Sequence, residues 1–345
     1  MNLINLRSDT QTLPTEAMLE AMRTAPLGDD TYDEDPTVER LERMAAAMLG
    51  KEAAMLVISG NMANLACLMA HASPGDEVII DPDSHIYYYE VGGLANIAGL
   101  MPMPVPSRRG LLNPVDVRAA IRKPNLHYPV PRLLCLENTH NRAGGRVVPL
   151  ALHRDLCRTA KERGLAVHLD GARIFNAAIA AGVPASAYAE DVDTLMFCLS
   201  KGLSCPLGSL VVGSHDLVAK ADRARKRLGG GMRQAGIIAA AGIVALETMV
   251  DRLADDHATA RQLATGLNAI TGLAVDMEGV ETNMVYVDHT GTGLPTDAVL
   301  ARLKEGGVLA SGRPPAHFRM VTSRHQDASV IAEAVARVRR AVPAP

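Results

Sequence analysis

From about residue 40 to residue 230, short apolar runs alternate with segments of helical length, and most runs stop on residues that can do chemistry. Residues 53–58 end on Ser59-Gly60. Residues 77–81 lead into Ser84-His85. Residues 132–136 end at Glu137-Asn138, residues 165–169 deliver Asp170, and residues 194–199 deliver Ser200 and Lys201. Residues 209–212 form one more short run. Strands that are apolar throughout are covered on both faces, which is the pattern of a parallel α/β sheet. Between them, residues 61–71 and 149–163 have helical spacing, and Ser73-Pro74-Gly75-Asp76 marks a turn. In such sheets ligands sit beyond the carboxyl ends of the strands. Chemistry is therefore expected around Ser59-Gly60, Glu137, Asp170 and Lys201. After Gly229-Gly230-Gly231 the pattern changes to one long helical stretch over 233–267. Short strands at 284–287, 308–311 and 319–322 follow, with helices at 296–304 and 328–341, a smaller α+β unit.

The chain has 345 residues with a formal net charge of −3, which gives no electrostatic case for nucleic acid. No stretch approaches the roughly 18–20 apolar residues of a membrane helix, and the start MNLINLRSDTQTLP does not read as a secretory signal. Five cysteines without CxxC spacing fit reduced thiols in the cytoplasm better than a disulfide or zinc framework. There is no Trp and aromatics make up 3% of the chain, so the run Tyr87-Tyr88-Tyr89 stands out.

Asp170 and Lys201 end neighbouring runs. A lysine there can bond to a carbonyl cofactor and a carboxylate can hold a pyridinium nitrogen; a plain strand-end ion pair is the other reading. Ser59-Gly60-Asn61, between strand and helix, offers backbone N–H groups to an anion or is an ordinary connection. His85 stacks on a flat cofactor, acts as a base, or is a hydrogen-bonded loop histidine. His168 and Asp170 share a strand face but lack a third metal ligand, and Ser200 and Lys201 point to opposite faces, against a hydrolase dyad. Arg223, Arg225, Lys226 and Arg227 read as a solvated helix face beside a glycine hinge that permits a phosphate contact. Arg173 and Arg319 are candidate clamps for a carboxylate.

Together these segments resemble the low-specificity L-threonine aldolases, within the beta-eliminating lyase and threonine aldolase group. The resemblance is carried along nearly the whole chain by LRSDT (6–10), GDDTYDEDPTVERLE (28–42), GKEAAMLVISGNMAN (50–64), HIYYYEVGG (85–93), LENTHNRAGGRV (136–147), HLDGARIFNA (168–177), CLSKGL (198–203), GGGMRQAG (229–236) and TNMVYV (282–287). It implies an α/β chain of pyridoxal phosphate fold type I, like aspartate aminotransferase. Residues 1–40 would contribute to the active site. Residues 41–250 would form the cofactor-binding domain around a mainly parallel seven-stranded sheet, and 251–345 a small α+β domain. The activity it implies is retro-aldol cleavage of L-threonine and L-allo-threonine to glycine and acetaldehyde, with another β-hydroxy-α-amino acid such as phenylserine, or another lyase reaction at the β-carbon, as the alternative. It also implies a homotetramer, a dimer of dimers with shared sites.

By the same resemblance, Lys201 bonds to the cofactor, Asp170 partners its ring nitrogen, His85 stacks on the ring, and Gly60 with Asn61 cups the phosphate. Arg173, Arg319 and Ser8 hold the substrate carboxylate. Arg233 reaches a neighbouring subunit's phosphate, with Lys226 nearby. His127 is the second histidine near the substrate hydroxyl, so His85 and His127 both remain candidates for the base. The tyrosine run beside His85 adds the expectation that Tyr89, with Tyr32, lines the aldehyde pocket. No metal is implied. Three positions depart from the family pattern: Met62 replaces a polar residue, Asp33 stands where glycine is usual, and the histidine of RLVTH is missing or shifted to His325.

Overall fold

The computed structural model describes residues 2–342. In chain order its strands are β1 (Ile4–Asn5), β2 (Ala53–Val57), β3 (Glu77–Ile80), β4 (Met101–Pro104), β5 (Pro131–Glu137), β6 (Ala166–Asp170), β7 (Thr194–Cys198), β8 (Ser209–Gly213), β9 (Met284–Asp288), β10 (Val308–Leu309), β11 (Ser311–Arg313) and β12 (His317–Val321). Seven of them form the main sheet in the order β2-β8-β7-β6-β5-β3-β4. Only β8 runs against the others, so its start, Ser209, lies beside the end of β7, Cys198. The expected ends, Ser59-Gly60, Glu137, Asp170 and Lys201, therefore share one edge of the sheet.

The apolar runs are buried because helices cover both faces. The helix Pro36–Leu49 has the punctuation its sequence suggests: Asp35 caps its first turn, Pro36 opens it, and Gly50 closes it at φ 64°. Gly60–His71 starts directly after β2, with the Ser59 hydroxyl accepting from Met62 N–H. The scarce phenylalanines are spent on packing. Phe175 and Phe197 meet edge to face at 5.2 Å in the main core, and Phe318 sits in a second core with Leu6 and the chain from Ala260 onward.

Both outer strands of the sheet have their free side occupied. On β2, Leu56 N–H donates to Glu42 and Leu56 C=O accepts from Arg225. Glu42 is pushed up to about 7 by burial. On β4, Pro102 and Pro104 carry no N–H, while Met101 N–H and Val105 N–H bond toward the sheet. This strand lies outside the predicted elements, because a proline-rich stretch argues against a strand except at an edge.

Two further expectations need correction. The helical stretch over 233–267 is two helices, Gly236–Thr248 and Leu253–Asn268, separated by a turn that contains neither glycine nor proline. The run at 308–311 is split between β10, which pairs with β1, and β11, which pairs with β12. Thus the N-terminal strand is sewn to the second core. His325, the displaced histidine, helps by accepting from Leu13 N–H.

Candidate active site

Asp170 ends β6 and is 2% exposed. Its two oxygens accept from Ala172 N–H at 3.0 Å and from the Asn64 amide at 2.9 Å. Burial alone would raise its pKa, but the nearby charges of His85 and Lys201 and these bonds bring it below the ordinary value. It is an ionised carboxylate in a dry place. Lys201, three residues past β7 on the adjacent strand, is only partly buried.

His85 stands at the end of the neighbouring β3 connection. Its backbone N–H donates to Glu137 at 2.5 Å, and its ring Nδ1 lies 2.9 Å from Glu90. Tyr89 packs on it with ring centroids 5.4 Å apart, and the Tyr89 hydroxyl accepts from Arg142, which lies 3.8 Å over the Tyr88 ring. Tyr88 and Tyr89 thus form one wall beside His85.

On the other side, Arg173 and Arg319 are both buried. Arg173 forks onto Asp9 with two bonds of 2.7 Å. Burial opposes the charge of Asp9, yet Arg173, Lys201 and Asn283 hold it well below the usual carboxylate range. Breaking such a buried pair on one side costs about 3–5 kcal/mol. Arg319 donates to Asn141 and to the carbonyl of Arg7, but its buried Nε has no partner among the described residues. Burial, Arg313 and Arg173 pull its pKa down. Asp9 is committed to Arg173, so this corner lacks an anion. Ser8, next to Asp9, caps the short turn Asp9–Gln11 and is partly exposed.

At the start of the helix Gly60–His71, a Cβ on Gly60 would stand 3.1 Å from Cys198 Sγ and 3.9 Å from the Ser209 hydroxyl, which is buried and has no partner among the described residues. The close approach leaves the first N–H groups of the helix, at Gly60 and Asn61, as an anion cup. Met62 packs its sulfur where a Gly230 Cβ would stand, 2.2 Å away, so Met62 ties the glycine hinge to this cup. Lys226 lies against Gly231. An ionised buried carboxylate, a helix N-terminus with a spare hydroxyl, and a lysine on the intervening edge suit the ring nitrogen, phosphate and carbonyl of pyridoxal phosphate. The residues present fit that group.

Other expected residues lie apart from this cluster. Arg233 is exposed and pairs with Asp29, and Tyr32 is exposed on the turn Asp30–Tyr32. That turn is folded around Asp35, whose carboxylate accepts from Gly28, Thr37, Val38 and Gly236. Asp33 takes φ 56°, a left-handed backbone position that favours glycine. His127 is exposed in the loop before β5, at the opposite edge of the sheet from Asp170, about 20 Å away along a seven-residue strand. The basic run is not wholly a solvated face: Arg225 turns inward onto Asp30, Asp222 and Leu56 C=O. Both ring nitrogens of His168 are engaged, by Thr194 and Asn64, which removes the reading of a metal pair with Asp170. All five cysteines are buried and free, with Cys67, Cys157 and Cys205 pushed up to about 12 by burial.

Sequence reasoning missed the parts played by Asn64, Glu90, Asp9, Asn141 and Arg142. All but Arg142 are buried acids or amides with a partner at least 26 residues away along the chain. The one available signal was their place inside the motifs already singled out.

Residues 5–290 match the beta-eliminating lyase family. Over 338 residues the chain is 44% identical to a probable low-specificity L-threonine aldolase 2 of Arabidopsis thaliana, covering 96% of this chain and 95% of that one. It is 42% identical over 336 residues to the low specificity L-threonine aldolase of Escherichia coli strain K12, covering 96% and 98%. A solved threonine aldolase of Leishmania major superposes with a TM-score of 0.84 at 19% identity, covering 99% and 100% of the two chains. The fold is that of the type I pyridoxal phosphate enzymes.

Proposed function

Since the chain belongs to the beta-eliminating lyase family and, within it, to the low-specificity L-threonine aldolases, we propose that it cleaves L-threonine and L-allo-threonine to glycine and acetaldehyde, and runs the reverse addition. It is a lyase, and its cofactor is pyridoxal 5'-phosphate. The observation that carries the reading is the ionised, buried Asp170 with Lys201 on the adjacent strand end. When bound, the cofactor supplies an electron sink for the pair left by the breaking Cα–Cβ bond.

The chain's own residues do the rest. Asp170 holds the positive charge of the ring nitrogen. Gly60 and Asn61 hold the phosphate. Arg319, whose buried Nε lacks a partner, binds the substrate carboxylate with Arg173 and Ser8. Holding the carboxylate in this way would fix which bond at Cα is presented for cleavage. His85 is the imidazole at this edge and accepts the β-hydroxyl proton from within one chain. Tyr89 lines the side on which the aldehyde leaves.

His127 reaches a site only across a subunit boundary, and so do Tyr32, Lys226 and Arg233 as phosphate and substrate contacts. Their exposure supports a homotetramer of paired subunits with shared sites. Free, buried cysteines support a cytoplasmic setting. Among the described residues no helix is long and apolar enough to cross a membrane.

The test is a panel of L-threonine, L-allo-threonine and phenylserine given to the purified yellow holoenzyme, with glycine and aldehyde both measured. Equal glycine and acetaldehyde from the threonines supports the reading. A keto acid with ammonia, or no turnover of either threonine, overturns it.

A further inference from the structure

Behind His85 lies a buried hydrogen-bond chain whose direction is fixed at every link. The Asn64 amide nitrogen is 2.7 Å from Glu90 and 2.9 Å from Asp170, both carboxylate oxygens, so it donates both hydrogens. Its oxygen must then accept from His168 Nε2 at 3.0 Å. The other nitrogen of His168 therefore accepts from the Thr194 hydroxyl at 2.9 Å, and that hydroxyl accepts from His71 at 2.8 Å. Burial holds His168 near 3 and His71 near 4, so both rings are neutral, as this pattern requires. Each donor points toward the two acids.

The Glu90 oxygen that accepts from Asn64 is the one that lies 2.9 Å from His85 Nδ1. Its other oxygen is buried without a partner among the described residues. When Glu90 is ionised, or carries its proton on the other oxygen, the shared oxygen is an acceptor and His85 Nδ1 donates to it. We propose that Glu90, held by the Asn64 amide, is a positioning residue that keeps the proton on His85 Nδ1 and leaves Nε2 as the one nitrogen that gains and loses a proton at the cofactor edge. Such an arrangement sets both the tautomer and the basicity of a working imidazole.

The charged groups facing His85 are Glu90 from the following turn, Asp170 from β6 and Glu137 from β5. Burial pulls the imidazole down, and these three acids together more than compensate. A ring nitrogen of His85 and a carboxylate oxygen each of Glu90 and Asp170 lie within 4.8 Å of one another. Glu90 is the only one of the three acids bonded to the ring itself.

The consequence for turnover rests on the aldolase reading, but the protonation pattern does not. Solid-state NMR of holoenzyme labelled with 15N-histidine, with the His85 signals identified by their loss in His85→Asn, reads both nitrogens directly. In the wild type, Nδ1 should stay protonated from pH 6 to 9 while Nε2 titrates. Glu90→Gln keeps an acceptor oxygen but removes the charge. It should leave Nδ1 protonated and lower the Nε2 midpoint by about one pH unit. The acid limb of kcat/KM on L-threonine should move down with it. A bare Nδ1 in the wild type overturns the proposal without any variant. So does a Glu90→Gln enzyme whose Nε2 midpoint and pH profile match the wild type. If the NMR pattern holds while threonine is not cleaved, the aldolase reading fails and the positioning role stands.

Discussion

The two ends of the site are built on different terms. Under Asp170 one chain supplies everything: the carboxylate, its two donors, the amide that shares it with Glu90, and a relay of neutral imidazoles behind. Around Tyr32, Lys226 and Arg233 the same chain supplies exposed side chains, with Arg233 paired only to Asp29. The first end is preorganised by burial. On the proposed reading, the second acquires its function when another subunit brings a target. A buried hydrogen-bonded network carries large energetic stakes, while an exposed cation carries little until it is desolvated.

That contrast is tested most strongly by Asp170→Asn. The new amide would face the donors Asn64 and Ala172, and kcat should fall about 10²–10³-fold while circular dichroism shows a folded chain. A loss below tenfold would mean that the buried end is not the stronger one. The open end is tested by mixing. Lys201→Ala and Arg233→Ala should each be poorly active alone. Refolded together, they should recover about a quarter of the wild-type sites, because a mixed pair has one intact site. No recovery on mixing would place Arg233 in its own subunit's site.

Acid should act first through the buried imidazoles, two of which lie behind Asp170. His71, His153 and His257 are held near 4 and His168 near 3 by burial. Their folded values lie below the ordinary 6.5, so the unfolded chain binds more protons between those limits. Stability is therefore full above about pH 6.5 and declines as pH falls toward 4. Urea midpoints at pH 8, 6 and 5 check this, and a flat series would contradict it. The smallest effect is expected at the rim. Asp33→Gly relieves a left-handed backbone and should add about 0.5–1 kcal/mol, read as a rise of about 1–2 °C in Tm.

The same contrast explains what could be read from sequence. Strand ends are legible because an apolar run must stop where the sheet edge does, and Asp170, Glu137 and Lys201 were visible for that reason. Asn64 and Asp9 were not, because their partners lie up to 274 residues away. No periodicity encodes such a meeting. The reversal of β8 and the break between Gly236–Thr248 and Leu253–Asn268 also escaped, since an apolar run has no direction and the break has no glycine or proline. Arg225 was hidden among basic neighbours, although it alone turns inward.

The occupied outer strands have a consequence for life in a crowded solution. A bare strand edge is adhesive, since any other extended chain can add to it. Here a newcomer at β2 would have to displace Glu42 and Arg225 from Leu56, and at β4 it would meet two prolines with nothing to donate. Association is thereby steered away from strand addition and left to side-chain surfaces. A protein can then form specific oligomers at high concentration without its sheet seeding aggregates.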